Sequence, residues 1–215
     1  TALVEMAKAS GMMLLKPEDL DPFKTTTYGT GELVSLATAK NPRRILLAIG
    51  GSATVDAGVG AAMALGWKFL DESGNPIGLG GGEIKKIKRI IPPDEKMAFD
   101  LKVLSDVDNT LFGPAGAAEV FGPQKGATPE MVKELDGAMR DLSRNVKKVL
   151  GIDIGNINGG GAAGGLGAGA VAFMNGKIVS GITELIKTVD LEQALENADW
   201  VITGEGSFDV QSLSG

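Results

Sequence analysis

The chain of 215 residues contains neither cysteine nor histidine. Without cysteine it can form no disulfide and has no thiol nucleophile. Without histidine it lacks the side chain that most often serves as a general base and as a metal ligand. These two absences exclude Ser-His-Asp hydrolysis and zinc catalysis, so any chemistry must use carboxylates, hydroxyls, lysine or arginine.

The chain also lacks an excess of positive charge and a long apolar run. Its formal net charge is −6, and its densest basic cluster, at residues 85–89, is typical of a solvated surface. Because nucleic-acid-binding proteins usually carry a basic stripe, we predict no nucleic-acid partner. Residues 154–176 are uncharged but too rich in glycine and asparagine to span a membrane, and residues 1–7 carry no targeting signal. A cytoplasmic protein without a membrane partner is expected.

Glycine, by contrast, is abundant. The chain has 32 glycines, about twice the average frequency of roughly 7%. They are clustered rather than periodic, and the clusters lie beside Asp, Glu, Ser, Thr and Lys, which indicates loops that grip an anion. With 43% hydrophobic and 22% charged residues, the chain is expected to fold as one large domain or a domain and a half.

Apolar runs and helical periodicities alternate along the chain, which predicts an α/β fold. Strands are predicted at 2–6, 43–49, 67–70, 98–104 and 200–203, and helices at 32–39, 54–65, 128–149, 191–197 and in a segment ending near 174. The longest helix begins with Thr128 as N-cap and Pro129 in the first position. Its single apolar face predicts packing on a sheet, and a coiled-coil partner is the alternative.

The segment Gly50-Gly51-Ser52-Ala53-Thr54 follows a predicted buried strand. A strand, a glycine turn and a helix in succession direct backbone N–H groups at an anion. Gly50, Gly51, Ser52 and Thr54 are therefore candidate phosphate-binding residues. Helix capping by Ser52 or Thr54 is the alternative. A Walker A motif is absent from the sequence.

Two carboxylates, Asp106 and Asp108, lie just after the carboxyl end of the strand predicted at 98–104, and Asn109 follows them. Residues two apart in a strand share a face, so both carboxylates could converge on one Mg²⁺, or one could act as a base. The alternative is a turn, since Asp and Asn favour turns.

Two further segments each allow two interpretations. Lys125, between Gln124 and Gly126, is either a phosphate contact or an ordinary exposed lysine. Residues 159–164 match G-x-G-x-x-G, but no hydrophobic strand precedes them, so close helix packing explains the glycines equally well.

Gly204, Glu205 and Asp209 follow the last predicted strand. The carboxyl ends of strands are where α/β folds place ligands, so these residues are candidates for a ligand site. A solvent-exposed acidic loop is the alternative.

Six segments of this chain occur in the order found in type-1 glycerate kinases, which the chain closely resembles. They are residues 28–33, 49–54, 106–109, 120–127, 161–167 and 202–206. The string Phe-Gly-Pro-Gln-Lys-Gly-Ala at 121–127 is highly specific, and the resemblance covers nearly the whole chain.

The resemblance implies ATP-dependent phosphorylation of D-glycerate, usually to 2-phosphoglycerate, with Mg²⁺ accompanying the nucleotide. It also implies two α/β domains, one Rossmann-like and built from both ends of the chain, the other inserted. On this basis residues 1–195 form the inserted α/β domain and 196–215 begin the return to the Rossmann-like domain. The family's N-terminal strand with its Asp-Ser-Phe-Lys-Gly-Ser motif is missing, and the family continues beyond Gly215.

On the resemblance, Asp106 is the candidate general base or metal ligand and Asp108 its partner. Lys125 and the backbone N–H groups of residues 50–54 would offset developing negative charge. Asn109 and Gly204 would contact substrate or phosphate, and Glu205 and Asp209 would hold Mg²⁺ or the nucleotide from the other side of a cleft.

Several positions depart from the family pattern. Val55 replaces a usual Asn, Ala57 a Gly, Thr110 a Pro and Ser207 a basic residue. Val55 and Ser207 leave open a kinase for a related small sugar acid. The missing ends leave open a folded but inactive fragment, at most a ligand-binding or oligomer-forming module. A homo-oligomer also stays open.

Overall fold

The computed structural model describes residues 1–94, 99–196, 198–202 and 204. The strands are β1 (Ala2–Glu5), β2 (Arg44–Ala48), β3 (Lys68–Leu70), β4 (Arg89–Ile91), β5 (Asp100–Leu104) and β6 (Lys177–Val179). The α-helices are α1 (Ala7–Ser10), α2 (Tyr28–Thr38), α3 (Val59–Ala64), α4 (Ala117–Phe121), α5 (Pro129–Leu150), α6 (Ala162–Met174), α7 (Gly181–Thr188) and α8 (Leu191–Leu195). Short 3₁₀ segments cover Met12–Leu14, Pro17–Asp19, Gly81–Lys86 and Pro123–Lys125.

Four strands form a parallel sheet in the order β1-β2-β5-β6, which confirms the α/β class. The last residue of β2, Ala48, lies opposite Glu5 on one side and Leu104 on the other, and Leu104 in turn lies opposite Val179. The carboxyl ends of all four strands are therefore level at one edge. The loops that follow them project from this edge, where α/β folds place ligands.

The second sheet is a small antiparallel pair of β3 and β4. Helix α5 packs on the 3₁₀ segment Gly81–Lys86, on α4 and on β4, so the sheet that it contacts is this smaller one. Its buried residues recur at helical spacing: Val132, Leu135, Met139, Leu142 and Val146. Val149, predicted on the same face, is exposed because it lies in the last turn.

Signals at the two ends of α5 set its length, and the N-terminal signal was predicted from the sequence. Thr128 is the N-cap, and its Oγ1 accepts a hydrogen bond from the Met131 amide at 3.3 Å. Gly151 ends the helix at φ 73°, a left-handed conformation that favours glycine.

Several predicted elements differ in the structure. Helix α2 begins at Tyr28 rather than at residue 32, and α3 begins at Val59 rather than at 54. The start of α3 is delayed because Ala57 and Gly58 take left-handed conformations, at φ 52° and 73°. Asp190 precedes α8 but its side chain makes no capping hydrogen bond, since the residue is itself left-handed.

The buried strand predicted at 200–203 is wrong for the part of it that the structure describes. Residues 200–202 have no regular structure, and Trp200 is 88% exposed. None of the described residues pairs with this segment, because the parallel sheet ends at β6. Residue 203 lies outside the described residues. The proposed division between 195 and 196 stays a prediction.

No helix within the described ranges combines the length and the apolar character needed to cross a membrane.

Candidate functional site

Two adjoining clefts open at the carboxyl edge of the parallel sheet. One, of about 310 Å³, lies between the turn after β2, the loop after β5, Lys125 and the first residues of α6. The other, of about 430 Å³, lies between the loop after β5 and the start of α7, and includes Asn158 and Ser180 in its wall. Residues 105–107 belong to both walls, so Asp106 stands at the boundary between the two clefts.

The glycine turn after β2 forms one side of the smaller cleft. Gly51 turns the chain at φ 71°, and a side chain at Gly50 would meet open space. Backbone hydrogen bonds hold the turn against the end of α1 and the segment that follows it. The Met12 amide donates to the Gly51 carbonyl and the Ala53 amide to the Ser10 carbonyl, each at 2.9 Å. Gly50, Gly51 and Ser52 therefore present a fixed backbone surface to the cleft.

This turn does not lead directly into a helix. Since α3 begins at Val59, neither Ser52 nor Thr54 caps it, and the turn does not lie at the N-terminus of this helix. Thr54 is buried and does not line the cleft, and its hydroxyl has no hydrogen-bond partner among the described residues. The grounds for phosphate binding at this turn are thus its backbone amides, Ser52 and the lysine beside it.

Lys125 is buried, 2% exposed, at the end of the 3₁₀ segment Pro123–Lys125. Its Nζ donates to the Ser52 Oγ at 2.7 Å and to the Thr54 carbonyl at 2.8 Å. The interpretation as an ordinary exposed lysine is therefore wrong. Two of its three N–H groups hold the glycine turn in place, and one remains for a ligand in the cleft that it lines.

The buried position changes the acid–base behaviour of this lysine. Burial lowers the pKa of Lys125 to about 8, because an ammonium loses solvation in the interior. The carboxylate of Asp56 acts in the opposite direction and favours the charged form. A cation with this pKa is still mostly protonated at pH 7, and it is the one buried positive charge that the described residues place beside the glycine turn.

Asp56 was not singled out from the sequence, yet it is fully buried. Its carboxylate accepts hydrogen bonds from the Thr27 amide at 2.8 Å, the Thr27 hydroxyl at 2.9 Å and the Gly58 amide at 3.1 Å. The Thr26 hydroxyl and the Gly60 amide add two longer bonds. Burial raises the pKa of Asp56, and these donors act against that rise. The sequence does carry a signal that could have identified Asp56 as buried, because it is an acidic residue within a run of small, mostly apolar residues.

Asp106 follows β5 directly and contacts the start of α7. Its Oδ1 accepts from the Gly181 amide at 2.9 Å and from the Ser180 hydroxyl at 3.2 Å. Its Oδ2 accepts no hydrogen bond from the residues that the structure describes. One carboxylate oxygen is thus held, while the other remains available for a ligand.

Asp108 and Asn109 contact different parts of the loop. Asp108 Oδ1 accepts from the side-chain amide of Asn158 at 2.6 Å, and the side-chain amide of Asn109 donates to the Ala115 carbonyl at 2.9 Å. Because β5 ends at Leu104, the same-face rule for strand residues does not extend to positions 106 and 108. Both carboxylates nevertheless line the 430 Å³ cleft. Asn109 lines neither cleft and stabilises its own loop.

The described residues contain no cluster of three or more acidic side chains suited to a metal ion. A pair of carboxylates bordering one cleft still fits Mg²⁺, which proteins typically hold by one or two carboxylates together with substrate phosphates. Asp106 and Asp108 form such a pair.

The glycine segment at 159–164 serves close packing. Ala163, Gly164 and Gly165 are all left-handed, and a Cβ at Gly164 would overlap the Thr54 carbonyl. The Ala57 amide donates to the Gly164 carbonyl at 3.0 Å. The segment is therefore packed against residues 54–57, which is the alternative interpretation of its G-x-G-x-x-G pattern. Only Ala162 and Ala163 of this turn reach the smaller cleft.

The remaining candidates lie near the carboxyl end of the chain. Gly204 has open space on its Cβ side. Glu205 and Asp209 lie outside the described residues, so their assignment stays a prediction.

Comparison with known proteins gives a consistent result. The sequence profile of the glycerate kinase family matches residues 1–215. A glycerate 2-kinase of Escherichia coli is 42% identical over 219 aligned residues, which cover 100% of this chain and 57% of the relative. An uncharacterised protein of Synechocystis is 48% identical and is covered to 58%. A crystal structure described as glycerate kinase 2 of Salmonella typhimurium has a TM-score of 0.91 at 42% identity, covering 98% of this chain and 57% of that one. The chain thus spans little more than half the length of these relatives.

Proposed function

The chain belongs to the glycerate kinase family, and on that premise we propose that it takes part in the ATP-dependent phosphorylation of D-glycerate to 2-phosphoglycerate. One observation carries the proposal. The glycine turn, which the buried Lys125 holds in place, lines the same cleft as Asp106, whose carboxylate has one oxygen without a hydrogen bond from the described residues. Phosphoryl transfer needs little more than positioning and charge stabilisation, and this arrangement offers both. The substrates proposed are small molecules, and a cytoplasmic location is proposed with them.

In the proposed reaction the glycine turn and Lys125 bind the anionic side of the substrates. The amides of Gly50 and Gly51 and the remaining N–H of Lys125 belong to residues that line one cleft, where they supply charge-stabilising donors in this proposal. Such donors favour the transition state because they are already oriented before the reaction begins. They also outweigh the repulsion that an overall charge of −6 exerts on anionic substrates.

Asp106 acts in this proposal as the general base. The substrate hydroxyl gives its proton to Asp106 Oδ2, and the hydroxyl oxygen forms a bond to the γ-phosphorus of ATP. The bond between that phosphorus and the bridging oxygen of ADP breaks, and ADP leaves with the electron pair. A carboxylate anchored through Oδ1 alone suits this role, because its second oxygen is fixed in direction yet free to accept.

As the alternative to base catalysis, Asp106 and Asp108 would together hold Mg²⁺ at the boundary of the two clefts, because the one free oxygen of Asp106 serves only one of the two roles. When bound there, the ion neutralises charge on the nucleotide phosphates. We propose Glu205 and Asp209 as contributors from the opposite side, and Gly204 and Asn109 as secondary contacts to substrate or phosphate. Asn109 has the weaker support, since its amide is engaged within its own loop.

A second candidate is a folded chain with no turnover of its own. The coverage supports it: the chain spans 57% of a glycerate 2-kinase, so further residues in such relatives can complete the site. A kinase for another small sugar acid is a third candidate, supported by Val55 and Ser207.

A coupled ADP-release assay with ATP, Mg²⁺ and D-glycerate tests the proposal. It is run on this chain and on a longer version of the protein that matches the full length of the relatives. ³¹P NMR of the product distinguishes the 2- from the 3-phosphate, and a panel of hydroxy acids tests the sugar-acid alternative. Turnover only in the longer version supports the second candidate for the 215-residue chain. Absence of turnover on D-glycerate in both versions, each shown to be folded, contradicts the proposal.

A further inference from the structure

The start of α7 holds the carboxylate of Asp106, and neither Ser180 nor Gly181 was predicted as part of the site. Parallel pairing brings them together: Leu104 lies opposite Val179, and the Ser105 amide donates to the Val179 carbonyl at 3.0 Å. The segments that follow β5 and β6 leave the sheet side by side, so the residue after Ser105 contacts the residues after Val179. The contact between Asp106 and α7 is thus a consequence of strand register.

Two donors and one missing side chain set the direction of this carboxylate. The Gly181 amide and the Ser180 hydroxyl both donate to Oδ1. The position of a Cβ on Gly181 would be 2.9 Å from Asp106 Oδ2, closer than real Cβ contacts come. The nearest atom is therefore the tip of the Asp106 side chain, and any side chain at 181 would displace the carboxylate.

Helix α7 is itself anchored, so it forms a rigid support. Glu184, in its first turn, is buried and accepts from Lys102 of β5 at 2.7 Å and from Arg44 of β2 at 3.3 Å. Ser180 also caps the helix, because its Oγ accepts from the Thr183 amide at 3.3 Å. The donors that orient Asp106 are thus fixed to the same sheet that carries Asp106.

We propose that Ser180 and Gly181 are positioning residues that direct the free oxygen of Asp106 toward the substrate hydroxyl. This inference rests on the proposed function of Asp106. It adds that the first turn of α7 belongs to the machinery, since a misplacement of about 1 Å in a reacting group costs roughly 10²-fold in rate.

Two substitutions separate positioning from folding. Gly181→Ala adds the Cβ that displaces the carboxylate, but it lies at the start of a helix at a φ that alanine accepts, so the fold should be retained. Ser180→Asp retains an N-cap acceptor but removes the donor and adds a repelling charge. Ser180→Thr keeps both acceptor and donor. Gly137→Ala is the matched control, because that glycine is exposed in α5 with open space at its Cβ.

We expect Gly181→Ala and Ser180→Asp to lower kcat by about 10- to 100-fold, with KM for both substrates changed less than about threefold. Melting temperatures should stay close to that of the parent. Ser180→Thr should recover most of the turnover that Ser180→Asp loses, and Gly137→Ala should keep near-parental turnover. These assays use the active version of the protein identified above. In an Asp106→Asn background the two damaging substitutions should have no further effect, because they act through Asp106.

A readout independent of turnover is the amide resonance of Gly181 by NMR. It should shift in Asp106→Asn and stay in place in Asp108→Asn, since only Asp106 accepts from this amide. Near-parental kcat in both Gly181→Ala and Ser180→Asp, with Asp106→Asn inactive, overturns the positioning role alone. Near-parental turnover of Asp106→Asn instead removes the base assignment, and the positioning role with it.

Discussion

Among single residues, Lys125 holds the glycine turn in place, and Asp56 holds the loop before α2 to the residues at the start of α3. Both are buried, and each is surrounded by hydrogen-bonding groups from distant segments. Lys125 contacts Ser52 and Thr54, and Asp56 contacts residues 26, 27, 58 and 60. The sequence indicated that Lys125 could contact an anion, but not that it would be buried, because the residues that cover it lie more than 70 positions away.

The lowered pKa of Lys125 predicts opposite pH effects on stability and activity. Its pKa is about 8 in the folded protein and about 10.4 when unfolded. Between these values the unfolded state binds more protons, so the stability contribution of this residue rises as the pH increases from about 8 to about 10. Activity should fall over the same interval, because the cation that binds the substrate anions is lost.

Urea denaturation of the parent and of Lys125→Met between pH 7 and 10 tests the first effect, since the rise due to Lys125 appears only in the difference. Turnover of the active version over the same pH range tests the second. Identical pH dependence of stability in parent and variant contradicts the assignment of the lowered pKa.

Asp56→Asn is expected to destabilise the fold by about 3 kcal/mol. The five donors around this carboxylate require an acceptor, and an amide NH₂ group would face one or more of them. The free energy of unfolding from urea titration measures the loss. Asp141→Asn is the control, because that carboxylate forms only an exposed pair with Arg144 and should change stability by less than about 0.5 kcal/mol. Equal stability of the two variants would contradict a structural role for Asp56.

At the scale of elements, strong local signals were read correctly and short elements were missed. The N-cap and apolar face of α5 predicted the helix to within a residue at each end. By contrast β6, α4 and α7 were not predicted, since β6 has three residues and α4 five. Elements of this length carry too little periodicity to be recognised, and tertiary pairing stabilises them instead. For α7 this omission also hid the partners of Asp106.

The left-handed turn at the start of α6 provides a prediction about packing between elements. Gly164→Ala should destabilise the protein by about 3 kcal/mol or more, because it combines φ 67° with overlap of a Cβ and the Thr54 carbonyl. Gly137→Ala, at an exposed position of helix α5, should instead be neutral or stabilising by up to about 1 kcal/mol. Thermal melts of both variants measure the contrast. A Gly164→Ala protein as stable as the parent would show that this close approach is not needed.

At the scale of the whole molecule, the parallel sheet brings the candidate residues together. Level strand ends place the loops after β2, β5 and β6 at one edge, although the residues involved are more than 50 positions apart in the chain. Residues 200–202 are apolar and yet exposed, and such a segment is usually covered in a complete protein. The relatives extend well beyond the length of this chain, so further residues are available in them to cover this segment.

Trp200 offers a test of that covering. In a Trp67→Phe background it is the sole tryptophan, and its fluorescence in the 215-residue chain should resemble that of a solvent-exposed indole. In a version of relatives' length we expect a blue shift of about 10 nm or more, because burial removes the indole from water. An unchanged emission maximum in the longer version would contradict burial of this segment.

By itself the sequence determined the α/β class, the family, the length of α5 and the main loops that border the two clefts. These properties depend on local periodicity, caps and motifs, which are present in contiguous residues. Only the tertiary structure decided that Lys125 is buried on the glycine turn, that Asp56 links two loops and that Asp106 is held by α7. The physical reason is that each depends on hydrogen bonds between groups 29 to 75 residues apart, whose partners are chosen by strand register and packing.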